Sequence, residues 1–188
     1  MLPLILASAS PRRRRLLLER GYNFRVLPAE VTEIAPSYFT PGEITRFNAR
    51  SKACAVARAH RAALVIGVDT VVAFEGEIFG KPSTMEEALA MLQRLNGRAH
   101  EVYSGVWLRH AATNRERGFI DITRVQFRQR TDDELRAYLA RIGPLDKAGA
   151  YAAQEDGGEL IEHFEGSFSN VIGLPMEALA EALQTFDM

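Results

Sequence analysis

The order of periodicities along the 188-residue chain predicts an α/β protein built on a mixed sheet. Three observations carry this. A short apolar run at residues 4–7 leads directly to Pro11, placed where a helix would begin. Apolar runs of strand character at 63–74, 102–109 and 119–128 alternate with helical stretches. Two Thr-x-x-Glu patterns, Thr84/Glu87 and Thr131/Glu134, stand before such stretches as capping boxes.

Residues 4–7 read as a buried strand, and 12–20 as a helix carrying Leu16, Leu17 and Leu18 and closed by Gly21. A strand is expected at 23–27, a loop from Pro28 to Pro41, and a helix from Pro41 or Gly42 to His60. Residues 63–74 carry two apolar runs around Asp69-Thr70, and Glu75-Gly76 turns the chain into 77–79. The helix from Thr84 has Ala88, Met91, Leu92 and Leu95 as its stripe and stops at Asn96-Gly97. A polar turn at 112–116 joins the two long strands, and Thr131 heads a helix to about Ile142. Residues 143–175 are glycine-rich, with short strands expected at 160–164 and 171–172. Pro175 opens a last helix through Leu179 and Leu183.

Composition narrows the function classes. The chain is 47% hydrophobic and 25% charged, with 23 Lys+Arg against 24 Asp+Glu, close to the globular average. A duplex-DNA binder would carry a basic surface, so affinity for anions has to come from local clustering. Trp107 is the only tryptophan and no aromatics interleave the basic residues, which argues against single-stranded nucleic acid. The single cysteine, Cys54, reads as a small buried hydrophobe, and the four histidines show no metal-ligand spacing. No apolar run approaches the ~20 residues that span a bilayer. The first residues lack a basic segment before their apolar run, so a signal peptide is not expected and the cytoplasm is the expected location.

Two segments break the rules of their surroundings. Ser8-Ala9-Ser10-Pro11-Arg12-Arg13-Arg14-Arg15 follows a strand and opens a helix, where backbone N–H groups and the helix dipole favour anions. Four arginines at that end are unfavourable unless an anion compensates them. Ser8, Ser10, Arg12 and Arg13 are candidates for phosphate contact, whereas Arg14 or Arg15 reads as solvated. Asp69 lies inside Leu64-Val65-Ile66-Gly67-Val68-Asp69-Thr70-Val71-Val72, where a carboxylate is out of place. It must be paired, bound to a metal, or placed at a strand end in a cleft. Gly80-Lys81-Pro82 is not a P-loop, because Glu75 and Pro82 stand where that motif needs glycine and Ser/Thr. The segment from Asn48 to Ala53, with Arg50 and Lys52, would by itself be a solvated helix face.

Together, Ser8-x-Ser10-Pro11-Arg12-Arg13, Glu33, Lys52, Gly67-x-Asp69-Thr70 and Gly80-Lys81-Pro82 resemble the Maf family of nucleoside triphosphate pyrophosphatases. So do His100-x-Val102-x-Ser104-Gly105-Val106, Asp146-Lys147-Ala148-Gly149-x-Tyr151-x-x-Gln154 and Asn170-Val171-x-Gly173-Leu174-Pro175. The match runs in order from about residue 4 to 185. The resemblance implies one two-lobed domain over residues 1–188, of the inosine-triphosphate-pyrophosphatase type, with a long curved mixed sheet flanked by helices and a central cleft. It also implies a divalent cation, Mg²⁺ or Mn²⁺, and a homodimer. Arg12, Thr70 and Gln154 resemble the dTTP/UTP branch at the three positions that separate subgroups. The chain departs from the family pattern at Glu155-Asp156, where glycine is common, and at Ser104, where threonine is frequent.

The reaction this resemblance implies is hydrolysis of a nucleoside triphosphate between its α and β phosphorus atoms. On this reading Ser8, Ser10, Arg12, Arg13, Lys52 and Lys81 neutralise and orient the triphosphate. Glu33 holds the metal, and Asp69 serves as a second metal ligand, as the base that takes the proton of the attacking water, or as both. Gln154 reads the base, or else merely pins its own loop. The rival reading is a nucleotide-binding regulator of cell division and septum formation without significant turnover.

Overall fold

The computed structural model of the chain describes residues 2–155 and 157–186; Asp156 of the Glu155-Asp156 pair lies outside the described residues. Its elements run β1 (Leu4–Leu6), α1 (Pro11–Glu19), β2 (Phe24–Val26), α2 (Pro41–Ala59), β3 (Leu64–Phe74), β4 (Glu77–Phe79) and α3 (Met85–Leu95). Then come β5 (Ala99–His110), β6 (Arg115–Phe127), α4 (Asp132–Ile142), β7 (Ile161–Glu165), α5 (Phe168–Ile172) and α6 (Met176–Gln184). Seven strands form one mixed sheet in the order β2-β1-β3-β5-β6-β7, with β4 paired to β3. The pairs β1–β2 and β1–β3 are parallel; β3–β4 and β6–β7 are antiparallel. The predicted α/β class with a mixed sheet holds. The residues divide into two compact units, and β3, β5 and β6 contribute to both.

The first unit comprises Met1–Thr70, Ser104–Asp121 and Gly173–Met188. Ser10 caps α1, accepting the Arg13 N–H, and Pro11 occupies the first turn, where a missing N–H costs nothing. After α1, the Tyr22 N–H reaches Leu17 O (3.1 Å) and the Gly21 N–H reaches Leu18 O (2.9 Å), a Schellman closure. α2 starts with a complete capping box between Thr40 and Glu43, a third Thr-x-x-Glu pattern beyond the two expected. Its inward face carries Asn48, Ala49, Lys52, Ala53 and Val56. Two glycines let this helix lie close on the strands. A Cβ at Gly67 of β3 would stand 2.1 Å from Ala49 O, and one at Gly105 of β5 would stand 2.4 Å from Thr45 O. Ile5, Ala49, Ala53, Val56, Val65 and Trp107 form the apolar cluster beneath.

The second unit comprises Val71–Tyr103 and Ile122–Ile172. Its core gathers Val72, Phe79, Leu92, Val102, Phe127, Leu135, Leu139 and Tyr151, among others. α4 begins with a complete capping box at Thr131 and Glu134, as expected. At α3 only half of the pattern is realised. Thr84 accepts the Glu87 N–H, but the Glu87 carboxylate takes the N–H of Ser83 (2.6 Å). Residues 171–172 are a correction: they lie in α5, not in a strand. Ser167 turns the chain there, its hydroxyl and carbonyl receiving the Asn170 N–H at 3.3 and 3.1 Å, so local capping overrides the strand propensity of Val171 and Ile172.

Candidate active site

Along β3 side chains alternate, so Gly67 and Asp69 point to the same face. Gly67 admits α2 at van der Waals range, and Asp69 meets that helix two residues later. Asn48 and Lys52, one helical turn apart, face it. The Asp69 carboxylate is buried; Oδ1 receives Lys52 Nζ at 2.8 Å and Oδ2 receives Asn48 Nδ2 at 3.1 Å. Lys52 is buried too and uses all three ammonium donors, on Asp69 Oδ1, Val68 O (3.2 Å) and Glu33 Oε1 (2.7 Å). Of the alternatives the sequence left for Asp69, pairing is realised. The residue stands in the middle of an eleven-residue strand rather than at its end.

Glu33 comes from the loop before α2 and is half exposed. Two carboxylates, one buried and one facing solvent, thus converge on a single cationic point. That donor set is all oxygen, which suits a hard divalent cation completed by substrate oxygens and water. No group of three or more His, Cys, Asp or Glu that could hold a metal occurs among the described residues.

Arg13 is placed differently from the solvated arginines of its run. Its Nε donates to Gly173 O (2.8 Å), Nη1 to Ser8 Oγ (2.9 Å) and Val68 O (3.3 Å), and Nη2 to Thr70 Oγ1 (3.0 Å). Burial lowers its pKa to about 10, with Asp69 and Glu33 pulling it up and Arg12 pushing it down. The guanidinium is charged at neutral pH and ties α1 to β3. One of its five N–H donors is left over for a ligand. Arg14 is exposed, and Arg15 pairs with Glu19 at 2.6 Å on the surface, as a solvated residue should.

The Ser8 hydroxyl accepts from Arg13 and from the Ser10 N–H (3.3 Å); the Ser10 hydroxyl accepts from the Arg13 N–H (3.5 Å). Each retains its own proton to donate. Thr70 Oγ1 is engaged with Arg13, Ser104 Oγ (2.9 Å) and Gly173 O (3.3 Å), so its hydroxyl serves the scaffold. Arg12 is half-buried at the start of α1.

The structure therefore gathers Ser8, Ser10, Arg13, Glu33, Lys52, Asp69 and Thr70 in the first unit. Lys81 and Gln154 belong to the second unit. Lys81 is exposed and makes no ion pair with any described residue; Gln154 is half-buried in a short turn, Ala153–Glu155. The loop before that turn is braced within its own unit. Lys147 Nζ donates to Gly143 O (2.9 Å) and Asp146 Oδ1 (2.6 Å), and the Gly149 N–H donates to Gly80 O (3.0 Å). Asn48 is the site residue that sequence reasoning missed. Its spacing of four from Lys52, with the small Ala49 and Ala53 between and beyond, was the available signal.

Comparison with known proteins shows the fold and the family. A fold neighbour, the HAM1 protein from Coxiella burnetii, superposes with a TM-score of 0.52 at 16% identity, covering 98% of this chain and 100% of its own. A protein from Pelotomaculum thermopropionicum named dTTP/UTP pyrophosphatase is 44% identical over 186 residues, 99% of this chain and 97% of its own. One of the same name from Bacillus anthracis is 41% identical over the whole chain and 97% of its own length. The family model described as Maf-like protein matches residues 3–186, and the chain belongs to that family.

Proposed function

We propose that the protein hydrolyses nucleoside triphosphates, dTTP and UTP by preference, to the monophosphate and pyrophosphate. One observation carries the reading: a buried carboxylate, Asp69, is held by Lys52 and Asn48 beside a second carboxylate, in a chain closely similar to proteins named dTTP/UTP pyrophosphatase. Those names disfavour a regulator without turnover.

Water attacks the α-phosphorus while the bond from that phosphorus to the α–β bridging oxygen breaks. Pyrophosphate leaves with the electron pair, and the water's proton passes to Asp69. Lys52 and Arg13 fix positive charge in the low-dielectric floor of the site, where it offsets the charge of the phosphates. Because their donors are largely committed to the protein, they act through charge and rigidity more than through new hydrogen bonds. Ser8 and Ser10 donate their hydroxyl protons to phosphate oxygens, and Arg12 and Lys81 add charge. Glu33 and Asp69 would hold Mg²⁺ or Mn²⁺. The bound cation would neutralise phosphate charge and make the phosphorus more electrophilic.

Gln154 is assigned to the base. Its amide both donates and accepts, matching the carbonyl–NH–carbonyl edge of uracil or thymine, whereas a glutamate there could only accept. Arg12 and Thr70 are assigned with it as specificity residues, Thr70 through the strand position it fixes. The proposal includes a cytoplasmic homodimer, which sedimentation equilibrium tests. No described helix is long and apolar enough to cross a membrane.

The test is pyrophosphate release from a panel of nucleoside triphosphates with Mg²⁺ or Mn²⁺. Preference for dTTP and UTP over ATP and GTP is expected, and Gln154→Glu should abolish it. Binding without turnover across the panel would refute the proposal. An unchanged dTTP/GTP ratio in Gln154→Glu would remove that residue from base selection.

A further inference from the structure

Asn48 makes three hydrogen bonds from a buried position. Its Oδ1 accepts the Ile34 N–H (3.0 Å), and its Nδ2 donates to Ile34 O (3.0 Å) and to Asp69 Oδ2 (3.1 Å). The first two clamp the backbone on both sides of Ile34, in the way one strand pairs with another. Ile34 follows Glu33, and its segment runs through irregular loop between Pro28 and Pro36. No helix or strand holds that stretch. The amide therefore joins the loop that carries one carboxylate to the strand that carries the other.

We infer that Asn48 is a positioning residue for the hydrolytic reaction, latching the Glu33 loop to Asp69 so that the two carboxylates keep a fixed separation. The inference rests on the proposed roles of Glu33 and Asp69. It has a physical basis independent of them. A buried amide with both ends used cannot be replaced by another side chain without stranding a donor or an acceptor. Lys52 closes the same triangle from the other side, bonding Glu33 Oε1 and Asp69 Oδ1. Lys52 holds Glu33 by a half-exposed side chain, whereas Asn48 holds the loop by its backbone, which fixes geometry more tightly.

The test combines amide hydrogen exchange at Ile34 with steady-state kinetics on dTTP. In the unmodified protein the Ile34 amide should be protected, unlike its loop neighbours at Thr32 and Ala35. Exchange there at the rate of an open loop would overturn the latch at once. In Asn48→Ala, protection at Ile34 should fall by about tenfold or more, the loss of roughly one buried hydrogen bond. Turnover should fall by about 10- to 100-fold, the range for groups that orient ligating side chains, with KM for dTTP changed by less than about threefold. Asn48→Asp keeps the acceptor for the Ile34 N–H but loses the donor to Ile34 O and sets a second carboxylate against Asp69, so protection at Ile34 should persist while kcat falls. That variant decides the matter should the alanine variant fail to fold. Full kcat in either folded variant would refute the positioning role. The parent reading fails separately: turnover in Asp69→Asn would discard it whatever Ile34 does, and a dead Asp69→Asn beside a fully active Asn48→Ala would discard only the latch.

Discussion

The two units handle buried polarity with different chemistry. In the first, the buried groups around β3 include charges: Asp69 and Lys52 form an ion pair beside the neutral Asn48, and the half-buried Arg13 guanidinium is wrapped by two carbonyls and two hydroxyls. In the second, the buried polar groups of the core are uncharged: Thr123 and Asn170 bond each other, and His100 has its Nε2 3.0 Å from the Tyr151 hydroxyl and its ring packed edge-on against Phe127 and Tyr151. Among the described residues no counter-charge faces it, and burial pulls its pKa down to about 3, so it is neutral at physiological pH. Among the described residues the second unit buries a charge at Lys147, in the loop after α4 rather than in the core. Taking charge out of water costs several kcal/mol per ion before any partner returns it. A protein accepts that cost where a fixed field is useful, and the first unit's network is accordingly where the proposed chemistry is assigned.

The largest effect is expected from removing the cation that both carboxylates share. Lys52→Met leaves Asp69 buried without its counter-ion, and truncating one partner of a buried pair costs about 3–5 kcal/mol. The melting temperature should fall by roughly 6–20 °C for a chain of this size, and turnover should drop below measurement. A variant that melts like the parent would mean that the pair adds nothing to stability. Arg13 and Arg15 sharpen the same contrast. Arg13→Ala removes four hydrogen bonds that tie α1 to β3 and to Gly173, although Val68 O keeps Lys52 and Gly173 O keeps Thr70, and should lower stability by about 2–4 kcal/mol and kcat with it. Arg15→Ala removes an exposed pair with Glu19 and should change stability by no more than about 0.5 kcal/mol. Equal effects at both would erase the distinction between strut and surface.

His100 supplies the smaller, pH-dependent contrast. Its folded pKa of about 3 lies below the ordinary 6.5, so the unfolded chain binds the proton first as pH falls. Stability from this group is complete above pH 6.5 and is lost progressively down to about pH 3. Urea titrations at pH 7.5 and 5.0 should show a loss of about 2 kcal/mol that His100→Phe does not share, at roughly 1.4 kcal/mol per pH unit. A parallel loss in both would mean that His100 is not the titrating group.

How much of this was legible in the sequence depends on how local each cause is. Helix starts at Pro11, Thr84 and Thr131 and the turn at Glu75-Gly76 follow from short-range rules, and they were read in place. So was the anomaly of Asp69, since a carboxylate in an apolar run is visible without any fold. The role of Arg13 as a strut was not, because Gly173, which takes its Nε, is 160 residues away. Asn48 was hidden by its company: beside Arg50 and Lys52 it looked like part of a solvated basic face. Only the approach of α2 onto Gly67 and Gly105 turns that face inward. Residues 171–172, the end of α5, read as strand because Val171 and Ile172 suggest a strand more strongly than Ser167 suggests a cap.

Asp69, as the group that takes the proton of the attacking water, is the residue on which the proposed chemistry depends most. The direct measurement is kcat for pyrophosphate release from dTTP by Asp69→Asn, with far-UV circular dichroism and a cooperative melt confirming the fold. Asparagine keeps the shape and the contact with Asn48 or Lys52 but is neither anion nor base. The expected result is a loss of about 10²–10⁴-fold in kcat with native secondary structure. A folded Asp69→Asn variant retaining more than about a tenth of the parent rate would contradict the assignment.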